Sequence, residues 1–203
     1  MFDTTTIIAL ILGYLFGSIP FALVIGKVFY KTDIRNFGSG NLGGTNAGRV
    51  LGGKAGAAVS VLDVLKAAIV VAIVYQFKPE AAALAGVAAT LGHIYPLFAN
   101  FKGGKAVSTA YGYLLAVSIF ITHHFFIMFL FPFLLFFVIL KITKYVSFSS
   151  MTALSVGVIT SFVVADNLEV SLYILLIVLI VIYRHKANIK RLIDKTESKV
   201  KWI

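Results

Sequence analysis

The chain alternates long apolar stretches with short polar ones, beginning with a run from Ile7 to Phe29. A helix that crosses the hydrocarbon core of a bilayer needs about 20 apolar residues, with a range of roughly 17–25. By that measure the pattern predicts spans at about 7–29, 55–77, 81–97, 106–122, 124–140, 148–165 and 169–183. The stretch 106–140 is too long for one crossing, and His123-His124 near its middle divides it. Asp3 precedes the first run, with no basic segment before it and no small-residue cleavage pattern after it. That run therefore reads as a span and not as a removed leader.

The expected fold is all-α: a polytopic integral membrane protein with seven transmembrane helices in a single domain over 1–203. Composition agrees, because 60% of residues are hydrophobic and 13% charged, against roughly 45–50% and about 25% in soluble domains. Too few polar residues exist to cover a water-facing surface. The small-residue run Gly52-Gly53-Lys54-Ala55-Gly56-Ala57-Ala58 is of the kind that lets helices approach closely in lipid.

Seven crossings put the chain ends on opposite sides, and the excess of Lys and Arg marks the cytoplasmic loops. Lys27, Lys31, Arg35, Arg49 and Lys54 flank the first loop, Lys102 and Lys105 mark the third, and Lys141 and Lys144 the fifth. The tail adds Arg184, Lys186, Lys190, Arg191, Lys195, Lys199 and Lys201. Of 18 basic residues, only Lys66 and Lys78 fall outside this set. The N-terminus is therefore expected outside and the C-terminus in the cytoplasm. The net charge of +10 follows from this topology and from anion binding. No basic stretch carries the interleaved aromatics or recognition helix of a nucleic-acid binder, so no nucleic-acid partner is expected.

Chemistry concentrates on the cytoplasmic side. The first loop contains Ser39, Gly40, Asn41, Gly43, Thr45, Asn46 and Arg49 among further glycines. Glycines allow successive N–H groups to turn toward one centre, and such a nest before a helix binds phosphate or an oxyanion. The segment Gly48–Ala55 matches a P-loop spacing except at Ala55, where a magnesium-holding hydroxyl is required, and no buried strand precedes it, which excludes nucleotide hydrolysis. The third loop brings His93, then Lys102, Gly103, Gly104 and Lys105 at the start of a span, where backbone donors and ammonium groups meet a positive helix end.

Within the second span, Asp63 and Lys66 lie three residues apart on one helix face. Charges in a membrane are costly and face a bundle interior or a water-filled cavity, so structural pairing and substrate contact both stay open. Ser147, Ser149 and Ser150 begin the sixth span as caps or phosphate donors. In the tail, His185 and Asn188 share one helical turn just inside the membrane surface, where an imidazole suits proton transfer. Cysteine is absent, and the histidines show no ligand spacing with carboxylates, so no metal and no cofactor are expected.

Taken in order, these segments closely resemble the bacterial acyl-phosphate-dependent glycerol-3-phosphate acyltransferases, the PlsY family. The matching pieces are Ser39-Gly40-Asn41 through Asn46 and Arg49; Gly92-His93 through Gly103-Gly104-Lys105; and His185, Asn188, Arg191 and Glu197, along with Gly17-Ser18-Ile19-Pro20 and Asp63–Lys66. Ala106 stands where another glycine is expected. The resemblance implies transfer of an acyl group from acyl phosphate to the 1-hydroxyl of glycerol 3-phosphate, giving lysophosphatidic acid and phosphate. It implies catalytic roles for Ser39, Arg49, His185 and Asn188, and glycerol 3-phosphate binding around Gly103–Lys105. Substrate contacts are expected from Gly40, Asn41, Gly43, Thr45, Asn46, Lys102, Ser147 and Ser150, with Asp63, Lys66, His93 and Glu197 supporting the site. The expected setting is the bacterial plasma membrane, with membrane lipid and the soluble acyl-phosphate-forming enzyme as partners. The competing class is a transporter for an organic phosphate, which places its site at the midplane and often shows inverted repeats. Here the polar residues gather on one face and no repeat is evident.

Overall fold

The computed structural model describes residues 3–200, and Lys201 of the basic tail lies outside them. Among the described residues there are helices and loops but no strand. Lipid offers no hydrogen bonds, so a spanning backbone must satisfy its own polar groups, and helices do so locally. One domain is expected over 1–203, but packing divides the chain into two compact units, Met1–Ala116 and Val117–Ile203.

In the first unit, α1 (Thr4–Gly17), α2 (Phe21–Tyr30), α3 (Gly44–Leu51), α4 (Gly53–Phe77), α5 (Pro79–Ile94) and α6 (Val107–Ala116) follow in order. Asp3 caps α1 by accepting from the Thr6 amide at 2.8 Å, and its carboxylate pairs with Lys78 at 2.9 Å. The start of α1 and the α4–α5 turn therefore share one end of the unit. The predicted span 7–29 is not continuous, because Pro20 has no N–H and its ring displaces the preceding turn. The chain leaves α1 at Gly17 and resumes as α2 at Phe21, with both the amide and the hydroxyl of Ser18 donating back to the Tyr14 carbonyl. The second half of the Gly-rich loop is likewise not irregular: Gly44–Leu51 is helical, and Gly52, at φ +98°, separates it from α4.

Small residues set the helix spacing. A Cβ at Gly17 would stand 2.0 Å from the Ala89 carbonyl oxygen, and one at Gly13 would meet the Ala85 carbonyl at 2.7 Å. This register makes α1 and α5 parallel, so both end on the side opposite the Asp3–Lys78 pair. A Cβ at Gly112 of α6 would lie 1.9 Å from the Val64 carbonyl oxygen of α4.

The second unit opens with two π-helical turns, Val117–Ile121 and Phe126–Leu130, followed by α7 (Phe131–Thr143), α8 (Val146–Val164), α9 (Leu168–Arg184) and α10 (Lys186–Ile193). The predicted division of 106–140 falls between the π turns, where His123 takes φ +58°. Asn167 caps α9 by accepting from the Glu169 and Val170 amides. After α10 the tail returns to the α7–α8 turn, where the Val200 amide donates to the Lys144 carbonyl at 2.9 Å.

Among the described residues, five segments are long and apolar enough to cross a membrane: Thr4–Tyr30, Gly53–Phe77, Pro79–Ala99, Phe126–Thr143 and Val146–Val164. A sixth is α9 with α10, bent by 57°, and Val107–Ile121 is apolar but shorter. These helices make the chain a multi-pass membrane protein.

Because the α4–α6 contact is backbone against backbone, Gly112→Val is expected to destabilise the protein by about 2–3 kcal/mol through overpacking. A thermal midpoint of the detergent-purified variant equal to that of the wild type would contradict this.

Candidate active site

The first loop is organised by two side chains. Asp33 accepts from the Arg35 amide at 3.1 Å and from its guanidinium at 2.9 and 2.6 Å, with Lys27 at 3.6 Å. The Arg35 hydrogen bonds hold the Asp33 carboxyl well below the ordinary carboxylate range, against the smaller opposing effect of burial. Arg35 is thus tied to Asp33, and Arg49 is the exposed guanidinium of the segment. Asn46 is buried, and its oxygen accepts from the Ser39 amide at 2.9 Å. Its nitrogen donates to the carbonyls of Ile34 at 3.2 Å and Phe37 at 3.3 Å. Predicted as a substrate contact, Asn46 uses both ends of its amide to fold the loop around Ser39, whose side chain is at the surface. Gly38 and Gly40 take φ +60° and +67° on either side of Ser39, a conformation with no steric cost for glycine. Gly43 caps α3, while Asn41 and Thr45 are partly or fully exposed.

The third loop meets the first in one buried apolar cluster. Ile34, Leu42 and Ala47 pack with Leu23, Val59 and Ala99. Arg49 and Lys102, both exposed, and the partly buried Lys105 thus belong to segments built on the same core. The Gly103 and Gly104 amides, predicted as anion donors, instead donate to the carbonyls of Ile94 at 3.2 Å and His93 at 3.1 Å. Ala106, where another glycine is expected, takes φ +63°, which is the conformation that favours glycine.

Behind this loop lies a buried charged group. Lys66 pairs with Asp63 at 2.8 Å, donates to the Ile19 carbonyl at 3.2 Å and meets Nδ1 of His93 at 2.8 Å. Asp63 and Lys66 thus pair internally, with His93 included.

In the second unit the centre is Glu197. One carboxylate oxygen accepts from the Ser147 hydroxyl and the Asn188 amide, each at 2.6 Å, and the other from Nε of Arg191 at 2.6 Å. Burial by itself would raise the Glu197 pKa, but the hydrogen bonds from Ser147, Asn188 and Arg191 together outweigh it and lower the value. His185 is buried at the α9–α10 junction, with Nδ1 2.8 Å from the Val181 carbonyl. A carbonyl only accepts, so Nδ1 carries the proton and the neutral ring has its lone pair on Nε2. Ser150 donates to the Val146 carbonyl of its own helix at 2.7 Å.

Residues 7–195 match the family model described as glycerol-3-phosphate acyltransferase. The crystal structure of PlsY, an integral membrane glycerol 3-phosphate acyltransferase, in its glycerol 3-phosphate form superposes with a TM-score of 0.88 at 39% identity, covering 97% of this chain and 96% of that one. This chain belongs to the PlsY family of glycerol-3-phosphate acyltransferases. Its identity to the Bacillus subtilis glycerol-3-phosphate acyltransferase is 48% over 197 residues, covering 96% of this chain and 97% of the other. With the Geobacillus kaustophilus protein of the same description it is 46% over 198 residues, 97% of each. The lysophosphatidic acid form of PlsY superposes with a TM-score of 0.85 at 38% identity.

Two features of this acyltransferase escape local sequence patterns. Glu197 reads as a supporting residue, but its place as the shared acceptor of Ser147, Asn188 and Arg191 depends on a contact 50 positions apart in the chain. The pairing of Lys66 with His93 spans 27 positions. A buried carboxylate or ammonium requires a partner, and that requirement is the one available signal.

Replacing Glu197 by Ala leaves two buried side chains without their acceptor and is expected to cost about 2–4 kcal/mol. Since the Glu197 pKa is depressed in the folded protein, its contribution is complete above the ordinary value of 4.5 and is lost as pH falls through the lowered value. Thermal midpoints between pH 7 and pH 3 should show this acid limb in the wild type and a smaller one in Glu197→Gln.

Proposed function

We propose that this acyltransferase takes its acyl group from an acyl phosphate and transfers it to the 1-hydroxyl of glycerol 3-phosphate, releasing lysophosphatidic acid and inorganic phosphate. The observation that supports this reading is that Arg49, Lys102 and Lys105 stand on segments of the first unit built over one apolar core. Both substrates bear phosphate. Two single negative charges about 5 Å apart repel by about 3 kcal/mol at an effective dielectric constant of about 20. Fixed cations offset that repulsion without reorganising during the reaction.

An acyl phosphate is already an activated anhydride, so positioning counts for more than a strong enzymatic nucleophile. The glycerol hydroxyl oxygen attacks the acyl carbonyl carbon directly, and the bond from that carbon to the phosphate oxygen breaks with its electron pair leaving on phosphate. The hydroxyl proton passes to Nε2 of His185 and then to the departing phosphate. The Nδ1 hydrogen bond to Val181 supports this role, since it fixes the ring's orientation and puts the acceptor nitrogen of the neutral ring at Nε2. Asn188, held by Glu197, and Ser39, presented between two glycines, are the other residues to which this reading gives a catalytic role. No acyl-enzyme forms.

The chain crosses the plasma membrane seven times, with its N-terminus outside and its catalytic loops and C-terminus in the cytoplasm, where a soluble acyl-phosphate-forming enzyme delivers the donor. The basic-residue distribution supports this orientation, with Val107–Ile121 as the short fourth crossing. The absence of native cysteine makes single-cysteine labelling direct. In intact cells an impermeant thiol reagent should modify Glu80→Cys and spare Asn36→Cys, and the reverse pattern overturns the orientation.

Purified protein should release phosphate from acyl phosphate only when glycerol 3-phosphate is present, and should give no product from an acyl thioester. Equal turnover with a thioester contradicts the donor assignment. His185→Ala should lower kcat by about 10²–10⁴-fold, the usual contribution of a positioned acid or base. Near-normal turnover would assign the proton to substrate phosphate, and a trapped acyl-serine at Ser39 would refute direct attack.

A further inference from the structure

The buried group Asp63, Lys66 and His93 is more than a neutralised pair. The side chains of Asp63 and Lys66 are 2% and 1% exposed, and Lys66 joins three separate segments: α4, the α1–α2 break through the Ile19 carbonyl, and α5 through His93. The break at Pro20 places that carbonyl in reach. Nδ1 of His93 faces Lys66 Nζ at 2.8 Å and Asp63 Oδ1 at 3.4 Å, so the pair holds the ring by that nitrogen and Nε2 lies on its opposite edge. That Nε2 edge lies against Gly104, where a Cβ would stand 2.1 Å from it. A Cβ at Gly103 would stand 2.1 Å from the His93 carbonyl oxygen and 2.5 Å from the Pro96 ring. The loop backbone is therefore laid directly on His93, with two amides bonded to the carbonyls of His93 and Ile94 and one glycine flush with the imidazole.

We propose that Asp63 and Lys66 fix the plane of the His93 ring, and that His93, as a positioning residue, sets the path of Gly103–Lys105 and with it the affinity for glycerol 3-phosphate. This rests on the reading of that loop as part of the glycerol 3-phosphate site. None of the three residues needs to touch substrate. The tilt of one ring decides where the loop backbone runs and hence where the Lys105 ammonium stands. Gly104 is required by the same contact, because any side chain there expels the ring.

The test is a separation of KM from kcat. His93→Asn keeps an acceptor for Lys66 but removes the ring edge beneath Gly104. The double variant Asp63→Asn/Lys66→Gln removes both charges together and leaves His93 without its fixed partner. Both should raise KM for glycerol 3-phosphate about tenfold, with kcat within about threefold of wild type and KM for acyl phosphate unchanged. His93→Gln, whose longer side chain reaches farther beneath Gly104 than Asn does, should recover part of the loss. Loss of kcat with KM unmoved, parallel changes in both KM values, or wild-type kinetics in a folded variant would overturn the proposal.

Amide exchange of the wild type with glycerol 3-phosphate alone gives a second reading that needs neither a folded variant nor an acyl donor. Protection should extend beyond Lys102–Lys105 to His93 and Ile94, and protection confined to the loop would overturn the proposal. Protection spanning both segments, in a protein that fails to turn over acyl phosphate, would refute the donor assignment while sustaining the positioning role.

Discussion

A bilayer interior offers no partner to a polar group, and that constraint organises this chain. Backbone groups are satisfied inside helices. Glycines let helices touch backbone to backbone at Gly17 on Ala89 and at Gly112 on Val64. A charge that stays inside must be met by other buried groups. Lys66 shows the last point most sharply: its ammonium is almost wholly hidden, yet it has a carboxylate, a carbonyl and an imidazole nitrogen within 3.2 Å. The Pro20 break serves the same end, because an unbroken helix would have held the Ile19 carbonyl within its own ladder.

The constraint also sorts chemistry from support. Polar side chains at the loop end of the first unit fall into two groups. Asn46, Asp33 and Arg35 are engaged with one another or with backbone, and they build the loop. Arg49 and Lys102 stand exposed, where an anion can be met. The second unit repeats the division. Glu197 gathers Ser147, Asn188 and Arg191, and His185 is held by its Nδ1 hydrogen bond. A substrate with two ionised phosphates nearby needs fixed cations, and fixed cations need a scaffold that does not relax when substrate leaves.

Much of this was legible in the sequence. Hydropathy alone places the long apolar helices, and the division of 106–140 lands where His123 breaks the helix. The polar segments fall where the Gly-rich and basic loops predict them. What local pattern does not carry is pairing at a distance. The periodicity of α4 places Asp63 beside Lys66, since both lie on one helix, but says nothing of His93. The glycines of the third loop read as anion donors because glycine permits that geometry, whereas here the same permissiveness lets the Gly103 and Gly104 amides pack onto α5. Helix α3 was hidden for a similar reason: Gly44 looks like a loop residue, yet it is small because α3 lies against Gly56 and Ser60 of α4.

The central claim is that the loops of the first unit form a cationic seat for the phosphate of glycerol 3-phosphate. Calorimetric titration of the purified protein with glycerol 3-phosphate alone tests it most directly, comparing the wild type with the triple variant Arg49→Ala/Lys102→Ala/Lys105→Ala. Saturable one-to-one binding that weakens as salt is raised, and that vanishes in the triple variant, is the predicted result. Undiminished binding by the triple variant would contradict it.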